Sequence, residues 1–426
     1  MELGGAREIQ AKTAWIAAGE FTAAAVGFAT SILSAAFLGL EEFGVFGVSM
    51  ALVATFGALL ALPVDDVAAR RFQQARREDE DAYPIWSLYY WAVLAFGLAR
   101  LGILLAALPL FGLLYSSRIS APTALLIVGV TFSAGDSVIV GLFNVQGRAP
   151  VIGASRAIGP LLRLGLVALL RPESSVALAL IHLTGSAVGS GFVLTAGLAA
   201  LRRPPTFQLL VVEFRRSRAI VSSLFLASSL RGLANNIDQL LVGRLLGFDA
   251  TGVYRLGRSI AAAPTVLISV LRFVNGPQIR EDAIAGNLSS LRRTLWTLSS
   301  WSLISSVAAL VGWVLLGRVF VSAVFGEGSA DVYLMGGLLI LATALENVTT
   351  WSKILPAALN NGRLALLDAT WYAVAPIPFI IVGIKLLDLP GVAYAMMFVS
   401  GFASAAWFWI VARILQRQWM PDGPAS

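Results

Sequence analysis

Four arginines and four carboxylates stand inside apolar stretches of this chain, where bare lipid could not hold them. Arg100, Arg163, Arg231 and Arg258 are flanked by long apolar runs, and Glu20, Asp136, Asp238 and Glu346 lie in similar surroundings. An ionisable side chain in hydrocarbon costs roughly 2.5 kcal/mol or more, so each needs a cavity, a partner or a ligand. A guanidinium keeps its charge at every physiological pH and offers a planar fork that fits phosphate oxygens. The four arginines lie nearest mid-membrane, which is the chemistry of an interior built to hold something negative.

Helical spacing sorts these groups onto faces. At about 100° per residue, Ser228, Arg231, Asn235 and Asp238 fall within roughly an 80° arc. Arg231 lies about 18 Å in from Ala219, and Asp238 is two turns further along. This stripe either lines a cavity, or Arg231 and Asp238 pair with neighbouring helices as a structural bridge. A second stripe holds Arg255, Arg258, Thr265, Ser269 and Arg272 within roughly 100°, with Pro264 in its middle. Arg255 and Arg272, near the ends, can snorkel to headgroups, whereas Arg258 is deeper. Arg163 sits on one face with Arg156, with Pro160 between them, and Arg100 is about midway along its own stretch. For both, a salt bridge and a ligand contact stay open, with Asp136 and Glu346 as candidate partners at similar depth.

The carboxylates have a second reading, because a buried Glu or Asp can carry a proton or bind Na⁺. Glu20 shares a face with Ala23, Gly27, Ser31 and Ser34, small residues that suit close helix packing. Ion coupling at Glu20, Asp136, Asp238 or Glu346 competes with a charge-neutralising pair at each. His182 has no carboxylate nearby in its own helix and reads as a hydrogen-bonded packing histidine. Asp368 reads as an acid near a helix N-terminus, and Pro376 and Pro378 predict a kink.

The elements that position these groups follow from composition. The chain is 58% hydrophobic and 13% charged. A bilayer-crossing helix needs about 20 apolar residues, which predicts spans near 13–38, 44–64, 85–114, 122–146, 149–170, 175–201, 219–246, 252–275, 294–316, 332–356, 364–386 and 390–415. Runs such as 93–108 do not alternate in polarity, which excludes a β-barrel. The fold class is an all-α polytopic membrane protein of about twelve transmembrane helices. Arg70, Arg71, Arg76 and Arg77 crowd the 65–83 loop, five arginines crowd 202–218, and Arg280, Arg292 and Arg293 follow the eighth span. The opposite loops are nearly free of positive charge, so both termini are expected in the cytoplasm. The first span lacks a cleavage site and is expected to remain as an anchor.

The formal net charge of +7 reflects these basic loops, whose default partner is anionic membrane lipid. Nothing resembles a nucleic-acid-binding segment. Zero cysteines exclude disulfides and thiolate metal sites, and one histidine argues against zinc. No cofactor is expected beyond a coupling Na⁺ or H⁺.

The chain also repeats itself. Leu38-Gly39-Leu40-Glu41-Glu42-Phe43-Gly44-Val45-Phe46 superimposes on Leu246-Gly247-Phe248-Asp249-Ala250-Thr251-Gly252-Val253-Tyr254 at a constant offset of 208 residues. Gln146-Gly147-Arg148 likewise matches Asn361-Gly362-Arg363. Both matches link a span with the span six later, so the halves are parallel repeats with a binding cavity expected between them. The predicted organisation is a six-helix lobe at 1–201, a basic cytoplasmic linker at 202–218 and a second six-helix lobe at 219–426.

Asn236-Ile237-Asp238-Gln239-Leu240-Leu241-Val242-Gly243-Arg244-Leu245-Leu246-Gly247, followed by Gly252-Val253-Tyr254, resembles the seventh-span signature of the polysaccharide biosynthesis flippases. These share a superfamily with the multidrug/toxin extrusion (MATE) transporters and the lipid II flippases. Leu38-Gly39, Phe43-Gly44 and Gly147-Arg148 carry the resemblance into the first half. It implies an alternating-access transporter, not an enzyme, that moves a polyprenyl-pyrophosphate-linked oligosaccharide to the outer leaflet. It implies two lobes around a cationic cavity in a prokaryotic plasma membrane (the inner one if Gram-negative). A monomer is the expected working unit, with polysaccharide polymerase or glycosyltransferases as partners. Arg231, Arg258, Asn235, Arg163 and Arg100 are the expected substrate-binding set. The competing function is a cation-coupled multidrug exporter, whose cavity would favour carboxylates. A membrane-embedded glycosyltransferase would need a large loop or an acidic metal cluster, and neither is evident.

Overall fold

A computed structural model describes residues 2–60, 83–201, 225–226, 229–326, 330–359 and 361–417. The arginines of the 65–83 loop, the 202–218 linker, Ser228 and the run Arg76 to Asp81 lie outside the described residues. Every regular element among the described residues is helical. The first two spans form one bent helix, Glu2–Leu59, broken at Gly39 (φ 76°). The third span is Tyr83–Ala106 and Leu108–Leu114, parted where Pro109 enters the first turn of the second piece. The fourth is Ser120–Phe132 and Asp136–Val145, joined by a 3₁₀ turn. Ala149–Leu170 and Ser175–Leu201 are the fifth and sixth.

The second half is more broken. The seventh span is helical at 229–234 and over Ile237–Leu245, with a turn between. The eighth is Gly247–Ala261 and Ala263–Ile284, parted just before Pro264. Leu288–Phe325 is the ninth, and Ala330–Asn347 begins the tenth. Gly362–Val374 opens the eleventh, and Pro376–Arg417 carries its remainder and the twelfth, with a break at Asp388 (φ 56°). In their described residues the predicted spans are therefore helical. Among the described residues, eight helices or merged helices are long and apolar enough to cross a membrane by length and composition.

The chain forms two compact units, Met1–Arg255 and Leu256–Ser426. The first includes the seventh span and the start of the eighth, and Ile237–Leu245 packs on the bent first helix. In the first unit, Tyr83, Trp86, Tyr89, Ile139, Phe143 and Val193 form a buried cluster where the third, fourth and sixth spans meet. In the second, Ile279, Leu295, Leu298, Trp351, Leu355 and Trp407 do the same. Trp351 donates its indole N–H to Ser299 Oγ (2.9 Å), and Trp407 donates to Asp368 (2.7 Å). Apolar side chains outside these clusters are left facing outward, as Leu113, Leu169 and Leu315 are. In lipid such exposure costs little, so close packing and hydrogen bonds, rather than water exclusion, hold the helices together.

Candidate functional site

The first unit holds a partly open cavity of about 130 Å³. One wall is the first span, which presents Gly27, Thr30, Ser31 and Ser34, residues three and four apart and small enough to leave space. Phe43 and Phe46 of the second span close one end. The fifth span supplies Arg163, the sixth His182 and the eighth Arg255. Two guanidinium groups and an imidazole thus share one small space, and among the described residues no carboxylate lines it.

Each cation is positioned by a glycine that yields room. The stem of Arg163 lies across Gly185, where a Cβ would collide with Arg163 Cγ. Among the described residues Arg163 has no carboxylate partner, and its Nε makes no hydrogen bond. Ser34 Oγ is buried in the same state. A buried donor left without a protein acceptor is costly, so a ligand or water is needed to complete these groups. Arg255 lies over two aromatic faces, its guanidinium carbon 5.5 Å from the Phe43 centroid and 5.2 Å from that of Phe46. Such stacking holds the guanidinium in place. A Cβ on Gly47 would come within 3.0 Å of Arg255 Cδ. Gly47 is the repeat equivalent of Arg255, so one half supplies the cation and the other its space. The His182 ring packs on Phe46 with centroids 4.8 Å apart.

The other expected site residues are placed differently. Arg100 donates to two backbone carbonyls, of Val130 (3.2 Å) and Gly57 (3.4 Å), tying three helices. Asp238 is buried and accepts from the Tyr254 hydroxyl (2.6 Å). Arg231 and Asn235 are exposed and one turn apart. The expected single stripe from Arg231 to Asp238 is split, because the turn at Asn235 and Asn236 breaks the helix and turns Asp238 towards Tyr254. Glu20 meets Arg156 (3.3 Å), and Asp136 accepts from Ser190 (2.8 Å). In the second unit Glu346 is paired with Lys353 (2.8 Å), and the charges of Arg258 and Arg272 also act on it.

Of the expected binding residues, the cavity takes only Arg163. Arg255, read as a snorkelling end residue, and His182, read as packing, line it too. The helix carrying Arg255 starts at Gly247, before the predicted span, so Arg255 lies two turns inside it. The missed signal was the repeat itself, which sets Gly47 opposite Arg255.

Known proteins match at three levels. The chain is 29% identical over 96 residues to the teichuronic acid biosynthesis protein TuaB of Bacillus subtilis (strain 168), a match covering 22% of this chain and 20% of that protein. Its fold matches an inward-facing multidrug resistance MATE family transporter of the MOP superfamily at TM-score 0.69 and 15% identity, covering 97% of this chain and 96% of the other. A MOP superfamily transporter from Pyrococcus furiosus, described as having a binding pocket of reversed polarity, matches at TM-score 0.68 and 15% identity over 96% of each chain. The family model described as polysaccharide biosynthesis protein matches residues 9–274. That is more than half of the sequence, and the chain belongs to this family.

Proposed function

We propose that this protein is a transporter that flips a polyprenyl-pyrophosphate-linked oligosaccharide from the cytoplasmic to the outer leaflet of a prokaryotic plasma membrane. Both termini lie in the cytoplasm on this reading. The observation that carries it is the cavity lined by Arg163, His182 and Arg255, with no carboxylate in its wall among the described residues. Family membership supplies the glycan context, and the MATE-like fold supplies a scaffold used for transport.

The cavity's size limits what enters it. At ~30 Å³ per water, a space of about 130 Å³ admits a phosphate-sized group and not an oligosaccharide. The pyrophosphate would dock there through charge-assisted hydrogen bonds from Arg163 and Arg255. The sugars and the lipid tail would lie outside it. Fixed cations offset the loss of hydration of the anion, which is the largest barrier to its crossing. Glu20, Asp136, Asp238 and Glu346 remain the candidates for Na⁺ or H⁺ coupling, and each already has a partner. A drug exporter for cationic compounds would meet two fixed positive charges in this cavity.

The test is transfer in proteoliposomes loaded with a polyprenyl-pyrophosphate disaccharide, read as protection from an impermeant sugar-oxidising reagent. Arg163→Ala should lower transfer about tenfold or more, the scale of a lost charge-assisted contact. Gly185→Ala should do nearly as much by displacing the Arg163 stem. Transfer untouched by both would discard the site. Absence of transfer together with gradient-driven efflux of a cationic dye would replace the flippase by an exporter.

A further inference from the structure

The repeat motif that marks the two halves is also a place where they touch, as they do again at Gly243 with Val48 and at Gly232 with Ala58. A Cβ added to Gly44 would run into the carbonyl oxygen of Phe248, and one added to Gly252 would run into that of Leu40. Phe248 is the equivalent of Leu40 and Gly252 of Gly44, both at the offset of 208 residues. The two contacts therefore exchange under the repeat, as a local two-fold axis requires. Gly39 and Gly247, a third equivalent pair, both have positive φ (76° and 89°) and set the bends that bring these segments together. Other close glycine pairs, Gly19 with Gly153 and Gly383 with Gly391, each lie within one half.

A strap reinforces the joint. Arg118, on the short turn after the third span, binds Glu41 and Glu42 of the first half at 2.6 Å each. The same guanidinium lies 5.7 Å from the Phe248 ring of the second half. Tyr115 donates its hydroxyl to the carbonyl of Leu240 (3.2 Å). All these residues belong to the first compact unit.

We propose that Gly44 and Gly252 form a two-fold latch that closes the outer end of the first compact unit and must part as one step for that end to open. Backbone meets backbone at both contacts, so no side chain can turn aside to allow partial opening. Because the contacts share one local axis, a rotation that separates one separates the other. Arg118 and Tyr115 bias the joint towards closure. Assignment of this end to the outside rests on the orientation proposed above.

The chain has no cysteine, which permits a test without substrate. Val48, one turn inward of Gly44, is 0% exposed. Val48→Cys in right-side-out and inside-out vesicles would be reacted with an impermeant maleimide. With Gly44 and Gly252 intact, labelling should be slow. Gly44→Ala or Gly252→Ala should each raise it about fivefold or more from one face only, because the added methyl cannot fit against a carbonyl. The double substitution should add little, since either change opens the same joint. Arg118→Ala, at an exposed position, should raise labelling less and from the same face. Gly102→Ala, which meets open space, should leave it unchanged. Enhancement confined to inside-out vesicles would keep the latch and reverse the orientation. Unchanged labelling in the glycine and Arg118 variants, or a rise from both faces, would overturn the latch. None of these readings depends on flipping, so the latch and the substrate assignment fail separately.

Discussion

The two compact units handle positive charge in opposite ways. In the first, Arg163, His182 and Arg255 line a cavity with no carboxylate in its wall among the described residues, and glycine and aromatic faces hold them in place. In the second, Arg258, Arg272 and Lys353 act on Glu346, which meets Lys353 directly. The second cluster receives a carboxylate from the protein, as charges kept in an apolar setting usually do. In the first, Arg163 has no carboxylate partner among the described residues, and its Nε makes no hydrogen bond. The difference teaches that burial of arginine is not by itself a binding signal. What matters is whether the fold supplies the counter-charge or withholds it.

The comparison is broken most severely by giving the first unit what the second has. Ser34→Asp would place a carboxylate in the cavity beside Arg163, at a position already buried with an unbonded hydroxyl. It should abolish transfer by occupying the anion's place. It should also raise the thermal midpoint of the purified protein, because an unneutralised cation gains a partner. Loss of transfer with a lower midpoint would mean that Ser34→Asp merely disturbs packing. Retained transfer would mean that the anion does not enter this cavity.

The sequence made the helices and most of the charged faces legible, because hydropathy and helical phase need no tertiary information. Arg163 was found by its depth on a regular helix. Arg255 was not, because span ends set by hydropathy err by a turn or more, and a turn decides whether an arginine snorkels or points inward. Asp238 was assigned to the stripe of Arg231 on the assumption of a straight seventh span. The turn at Asn235 and Asn236 cannot be seen in a periodicity count. The repeat offset was legible as a pattern, yet that its glycines touch each other across the halves required coordinates. Arg100 shows the converse limit, since its two carbonyl acceptors are backbone atoms that carry no sequence signal.

A milder test removes the counter-charge from the second unit. Glu346→Gln should lower stability by about 1 kcal/mol or somewhat more, a modest loss because both partners are about one third exposed. Pairing it with Lys353→Met should restore part of that loss, and the double-mutant cycle measures their coupling. Transfer by the protein that remains folded should be nearly unchanged. If Glu346→Gln instead halted transfer at normal stability, the second cluster would be part of the transport machinery and the contrast between the units would fail.

The smallest expected effect lies outside both interiors and separates surface from interior titration. Glu42 sits in the connection between the first two spans. Burial there pushes its carboxyl pKa up, but hydrogen bonds from Arg118 and the backbone N–H of Ser175 outweigh that and hold it below the ordinary value of 4.5. A depressed carboxyl pKa contributes stability that is complete above about pH 4.5 and is lost as pH falls through the folded value. Glu42→Gln should therefore cost less than about 1 kcal/mol at pH 7, and its thermal midpoint should converge on that of the unsubstituted protein as the medium is acidified. Between pH 6 and 8 neither protein should change. A dependence of stability on pH in that window would have to come from an interior group such as His182. It would mean that the first unit exchanges protons as well as holding an anion, and the two units would then differ in titration as well as in charge balance.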